Sequence, residues 1–238
     1  MTAMHADRRR HAPAAARNRD PIAAVVLPRL LQGARALEIG SGTGEHVVHM
    51  AALRPDTSWQ PSDPDPACRE SIAAWTAHTG LANVAPPLDL DVRLAPWPVA
   101  EADFILCCNL IHIAPWPCTA ALLQGAGRLL DAGGELLLYG PFKRGGAHTA
   151  PSNAAFDAAL RREDPDWGVR DLEAVAVLAA ENGLSFVEAV PMPANNFCAV
   201  FRKAEPGKAE PGRTESHAGR KAGPAGRRSP SGSRNCLK

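Results

Sequence analysis

The 238-residue chain is 45% hydrophobic and carries a net charge of +1, enough apolar content and length for one α/β domain with a sizeable core. No apolar run approaches the roughly 20 residues that a bilayer span needs, and Arg8 to Arg10 precede no apolar core of a secretory signal. The charge is uneven: residues 204–238 sum to +5 and residues 1–10 to +2, which leaves −6 for the body and argues against nucleic acid as the main partner of the folded part. The six cysteines form no C-x-x-C pair and no cluster with histidine at zinc spacing, so no metal and no disulfide are expected. The cytoplasm is the default location.

Residues 1–13 read as disordered. A helix is expected from Ile22 to Leu27, with Asp20 as its N-cap and Pro21 in its first position. A strand over 35–40 then runs into Gly40-Ser41-Gly42-Thr43-Gly44, where three glycines permit positive φ and let a ligand lie against bare backbone. Val47, Val48, Met50, Ala51 and Leu53 recur at helical spacing until Arg54-Pro55. Such a turn at the carboxyl end of a strand is where open α/β sheets bind ligands. Its G-x-G-x-G spacing fits neither the dinucleotide fingerprint nor the P-loop.

The second strand covers Ser58 to Ser62. Asp63 at its tip stands where a carboxylate accepts hydrogen bonds from a ribose diol, and Asp65 caps a helix over 66–79. A third strand lies near Pro87 to Leu90 and a fourth, strongly apolar, over 102–109. Helix 117–130 leads through Asp131-Ala132-Gly133-Gly134 to a fifth strand, 135–139. The stretch 140–151 is too long for a plain connection, and long loops in compact domains are functional or disordered. Helices follow over 152–162 and 171–181, the second capped by Asp171. Strands 184–190 and 197–201 are joined closely enough to form an antiparallel hairpin. After Lys203 the chain turns to Gly, Pro, Ser, Ala and Arg, a composition that cannot offset its ordering entropy, so 204–238 reads as a disordered basic tail and 14–203 as the domain.

The order E-x-G-x-G-x-G (38–44), the R-L-L-x-x-G-G-x-L-L-L run (128–138) and the closing hairpin resemble class I S-adenosylmethionine-dependent methyltransferases. R-N-R-D-P-I (17–22), W-Q-P-S-D (59–63), N-L-I-H-I-A-P-W (109–116), L-Y-G-P-F (138–142), H-T-A-P-S-N-A-A-F-D (148–157), D-P-D-W-G-V-R-D (164–171) and M-P-A-N-N (192–196) resemble one small branch of them, an uncharacterised methyltransferase-like family. The resemblance implies a Rossmann-like seven-stranded sheet with helices on both faces, and S-adenosylmethionine as cofactor. By position it implies cofactor contacts at Glu38, Gly40, Ser41, Gly42, Gly44, Asp63, Asp91, Val92 and Asn109, with Asp91-Val92 at the adenine. His112 is the histidine nearest the expected methyl position, as general base or substrate-orienting group. Asn18, Arg19, Trp116, Tyr139, Phe142, His148, Asn153, Trp167, Asn195 and Asn196 are candidates for the acceptor pocket; core packing and turn formation are the alternatives for the aromatic residues and asparagines. The [D/N]-P-P-[Y/F/W] segment that stacks planar amino acceptors is missing after Asn109, which leaves a small-molecule acceptor as the leading expectation. RNA or protein recruited by the tail, or a non-catalytic cofactor-binding module, are the alternatives; an NAD-dependent oxidoreductase is disfavoured by the glycine spacing.

Overall fold

A computed structural model describes residues 7–205. The main sheet has the order β2-β1-β3-β4-β9-β8. Strands β1 (Arg35–Ile39), β2 (Ser58–Ser62), β3 (Ala102–Cys108) and β4 (Leu130–Gly140) run parallel. β9 (Asn196–Lys203) is antiparallel to β4, and β8 (Leu184–Met192) pairs antiparallel with β9 as the expected hairpin. On one face pack α1 (Pro13–Val26), α2 (Glu45–Leu53) and α3 (Pro66–Thr79), around Ile22, Val47, Met50, Trp59 and Leu106. On the other face α4 (Trp116–Leu129) and α6 (Leu172–Glu181) bury Leu122, Leu123, Val175 and Phe201. The central strands β1 and β3 are largely apolar because both faces of the sheet are covered.

The expected third strand is replaced by two isolated parallel bridges, Trp59 to Val84 and Ser62 to Leu88. Pro86 and Pro87 lie between them and have no N–H to give a ladder, so the sheet has six strands and a broken seventh position. The segment 140–151 is ordered rather than loose: β5 (Phe142–Arg144) and β6 (Ala147–His148) form a hairpin, and β7 (Arg170–Asp171) joins β5 in a small second sheet. α5 (Pro151–Glu163) links the two halves of this insertion.

The N-terminal boundary also moves. α1 starts at Pro13, so Pro13 takes the first-turn position and Asp20-Pro21 lies inside the helix, where Pro21 gives up only the bond to the Arg17 carbonyl. Residues 7–12, expected to be disordered, form a strap against α2 and α3. The Arg10 N–H donates to Ser71 Oγ (2.8 Å), the Trp75 indole N–H to the Arg10 carbonyl (2.9 Å) and the Ala12 N–H to Glu45 Oε2 (2.7 Å). Residues 1–6, and the expected tail beyond Glu205, lie outside the described residues. No helix among the described residues is long and apolar enough to cross a membrane.

Candidate functional site

The glycine turn lies at the carboxyl edge of the parallel strands and is stitched to the tip of β2. The Ser41 N–H donates to the Ser62 carbonyl (2.9 Å), and the Ser62 hydroxyl to the Glu38 carbonyl (2.8 Å). Asp63, expected to receive a ribose diol, is fully buried instead. Its two oxygens accept the N–H groups of Gly42 and Asp65, each at 2.9 Å, so it holds the turn in shape. Asp65 caps α3 through the Ala67 N–H (2.9 Å), as the sequence implies. Gly42 and Gly44 both have positive φ (55° and 88°) but differ in surroundings. A Cβ on Gly42 would meet nothing within 4 Å, whereas one on Gly44 would stand 2.9 Å from Ile72 Cα. Gly42 is thus open to a ligand; Gly44 is spent on bringing α2 against α3.

Glu38, at the end of β1, is buried and its Oε2 has no hydrogen-bond partner. Burial pushes its carboxyl up to about 8; the Ser41 hydroxyl opposes this and the nearby Asp63 charge adds to it. One oxygen of Glu38, one ring nitrogen of His46 and Cys108 Sγ all lie within 4.8 Å of one another. A carboxylate, an imidazole and a thiol at that spacing could hold a cation, a donor set that the expectation of no metal did not include. His46 Nε2 is 2.7 Å from Asn18 Oδ1, and burial lowers the His46 pKa to about 4, so the ring is neutral at pH 7. Across the same edge the Asn196 amide donates to the Tyr139 hydroxyl at 2.9 Å. Burial raises the Tyr139 pKa, with Asn18 and Asn196 opposing, and the phenol stays protonated. Asn18, Tyr139 and Asn196 therefore come together with Glu38 and Cys108, and His46 joins them as a residue the sequence reading missed.

On the other side of the turn a cleft opens between Gly40, Leu90, Asp91, Val92, Cys108 and Leu110. The Asp91 carboxylate is held by Arg93 (2.5 Å), which lowers its pKa. Asn109, at the end of β3, has φ 61° and ψ −13°, a left-handed conformation fixed by its N–H bond to the Tyr139 carbonyl (2.8 Å). Backbone held in this region by its surroundings is a mark of functional sites.

The other expected pocket residues separate from this edge. His112 is fully buried. Its Nδ1 accepts the Arg170 N–H (3.3 Å), and its Nε2 lies 2.5 Å from where a Gly140 Cβ would be. Burial, with the Arg170 charge, lowers its pKa to about 3. Nδ1 is thus engaged by backbone, while Nε2 is buried beside Gly140 with no hydrogen-bond partner among the described residues. Phe142 is fully buried and stacks edge-on against the His112 ring, and Trp167 is buried too. Trp116 is partly exposed under the Arg170 guanidinium, 5.8 Å from its carbon. Asn153 donates to Thr149 Oγ1 (3.1 Å) and the Asn195 carbonyl (2.9 Å), and Asn195 donates to Ser152 Oγ, so both tie α5 to the β8–β9 turn.

Two charged residues that hold this region together were also missed. Arg170 donates to the carbonyls of Ile111, Ala114 and Asp166. Asp157 is buried among Lys143 (3.3 Å), His148 (3.3 Å) and Arg161 (3.2 Å), and accepts the Val169 N–H (2.7 Å). Burial raises its pKa, but that bond and its cationic partners more than reverse the effect. The available signal was Asp157 at core-facing spacing with Asn153 and Leu160, the three buried positions of α5.

Compared with known proteins, the chain is 35% identical over 82 residues to a tRNA (guanine-N(7)-)-methyltransferase of Rhizobium etli, a stretch that covers 34% of each. Among solved structures it resembles an O-methyltransferase family protein from Burkholderia thailandensis (TM-score 0.71, 15% identity, 81% of this chain and 58% of that one). It also resembles human N-acetylserotonin methyltransferase in complex with SAM (TM-score 0.66, 16% identity, 81% and 53%). The chain thus spans a third to rather more than half of these proteins, and at such identities the structures establish a shared fold, the Rossmann-like class I methyltransferase fold. The family described as "Protein of unknown function (DUF938)" matches residues 9–203, and the chain belongs to it.

Proposed function

We propose that this chain is an S-adenosylmethionine-dependent methyltransferase whose acceptor is a small molecule. The observation that carries the reading is the buried, unpartnered Oε2 of Glu38 beneath a glycine turn at the carboxyl edge of this fold. A carboxylate buried without a partner is costly, and a cationic ligand would remove that cost. The residues present fit the cofactor. Glu38 suits its ammonium group, the open backbone of Gly42, with Gly40 and Ser41 beside it, its amino-acid and ribose parts, and the cleft at Asp91 and Val92 its base, with Asn109 following the cleft residue Cys108. Asp63 would act through the turn it shapes.

S-adenosylmethionine, when bound, supplies a methyl group already activated on a positively charged sulfur, so the protein has to position and desolvate the reactants. Asn18, His46, Tyr139 and Asn196 present neutral hydrogen-bonding groups toward the acceptor side. With His46 neutral and the Tyr139 phenol protonated at pH 7, these groups orient an acceptor without taking its proton. That suits a nucleophile arriving with its lone pair free. The likeness to a tRNA methyltransferase covers a third of the chain, and the −6 charge of the body does not favour RNA as the acceptor.

Titration calorimetry with S-adenosylmethionine and its demethylated product tests the reading. Binding of both by wild type, weakened in Glu38→Ala, is expected; binding of neither would refute it. Unchanged turnover of an identified acceptor by a chain ending at Lys203 would exclude recruitment by the tail.

A further inference from the structure

Seven arginines among the described residues are half-buried: Arg9, Arg19, Arg29, Arg35, Arg54, Arg69 and Arg170. Six have carboxylate or carbonyl partners. Arg19 has none. Its side chain makes no ion pair or hydrogen bond among the described residues, and its Nε is fully buried. A guanidinium loses solvation on burial and ordinarily recovers it through a carboxylate or a row of carbonyls. The acid next to it in sequence, Asp20, turns to His49 instead, at 2.8 Å.

The position of Arg19 gives its unused donors a direction. It follows Asn18 in α1, and its charge is felt by His46 and His49 on α2. It therefore stands beside the Asn18–His46 pair at the edge where Glu38, Cys108 and Tyr139 meet. The Tyr139 hydroxyl accepts from Asn196 and is also hydrogen-bonded to Asn18, which places it beside the same pair. An unpaired guanidinium, which can only donate, and a protonated phenol flank one cluster. Their common complement is an oxyanion, and a planar one suits the guanidinium fork.

We infer that Arg19 binds a carboxylate in the proposed site, with Tyr139 as the second donor. The assignment rests on the methyl-transfer reading, and two molecules could bring the carboxylate: the amino-acid end of the cofactor or the acceptor itself. Calorimetry of wild type, Arg19→Gln and Arg19→Lys with S-adenosylmethionine and with its decarboxylated analogue separates them. If the carboxylate is the cofactor's, Arg19→Gln weakens S-adenosylmethionine by about ten- to a hundredfold, leaves the analogue unchanged, and Arg19→Lys recovers part of the loss. If it is the acceptor's, Arg19→Gln binds both nucleosides as wild type does. Labelled methyl transfer to a metabolite extract then disappears both in that variant and when the extract's carboxylates are converted to amides. An Arg19→Gln variant equal to wild type in both nucleosides and in labelling overturns the inference. Wild type that binds neither nucleoside refutes the cofactor reading, a result distinct from that one. The Arg19 side chain bonds to no described residue, so Arg19→Gln is expected to melt with wild type.

Discussion

Alanine at Gly44 and alanine at Gly42 should separate the folding role of the turn from its binding role. Both positions have positive φ, which costs an L-residue about 1–2 kcal/mol. At Gly44 the new Cβ also stands 2.9 Å from Ile72 Cα and 3.1 Å from its Cγ1, and backbone cannot move aside as a flexible side-chain end would. Overpacking of this kind adds about 1–3 kcal/mol, so Gly44→Ala should lose about 2–5 kcal/mol in all. For a chain of this size that lowers Tm by about 5–15 °C, against about 2–6 °C for Gly42→Ala, whose Cβ meets nothing. Binding should reverse the order. A methyl on the open side of Gly42 obstructs the approach of a ligand and should weaken S-adenosylmethionine by about ten- to a hundredfold, while folded Gly44→Ala keeps most of its affinity. Thermal unfolding and calorimetry on the two proteins read both quantities. Equal melting of the two variants, or a milder effect at Gly44, would refute the division of roles.

Glu38→Gln should stabilise the ligand-free protein at high pH. The folded pKa of about 8 lies above the usual carboxyl value, so the Glu38 contribution is intact below about 4.5 and is lost as pH rises through 8. Above that pH the variant should gain on the order of a few kcal/mol in urea unfolding while losing cofactor affinity; a destabilised variant at pH 9 would contradict this. His112 and His46 have folded pKa values of about 3 and about 4, below the usual imidazole value, so the stability they hold above about 6.5 is lost as pH falls toward 4. Urea midpoints of His112→Gln should accordingly vary less between pH 7 and 4 than those of wild type, and its activity-against-pH profile at pH 6–9 should keep the wild-type shape; a lost acidic limb there would identify His112 as a base. Asp157→Asn strands Lys143 and His148 without their buried carboxylate and should cost about 3–5 kcal/mol, read from denaturant unfolding; a change under 1 kcal/mol would show that the cluster does not hold the insertion.

Much of the fold could be read from local pattern. The apolar runs of β1 and β3, the glycine stop after Thr79, and the aspartate caps of α3 and α6 each have a physical signature within a few residues. One local reading failed, and others are incomplete, because distant partners decide them. Asp20-Pro21 has every mark of a helix start, yet Ala15, Ile22, Ala23 and Val26 share one buried face, and packing against α2 carries the helix through the proline. Asp63 has the position of a ribose ligand, and turn geometry gives its oxygens a second task, accepting the N–H groups of Gly42 and Asp65. The surroundings of His112 were illegible for a related reason. Proximity in sequence to the end of β3 says nothing about where the ring points, and the partners that turn it inward, Gly140 and Arg170, lie 28 and 58 residues away. His46 and Asp157 announce themselves only once α2 and α5 are docked.

The strap and the glycine turn share one carboxylate. Glu45 Oε2 accepts both the Ala12 N–H (2.7 Å) and the Thr43 hydroxyl (2.9 Å), while Ser71 joins the Arg10 N–H to the Thr43 carbonyl (2.8 Å). Residues more than thirty positions apart are thereby made into a single opening unit, since neither segment can detach without breaking bonds that the other relies on. In hydrogen–deuterium exchange the amides of Arg10 and Ala12 should become protected together with that of Gly44 when a ligand settles into the turn, although the ligand need touch none of the strap.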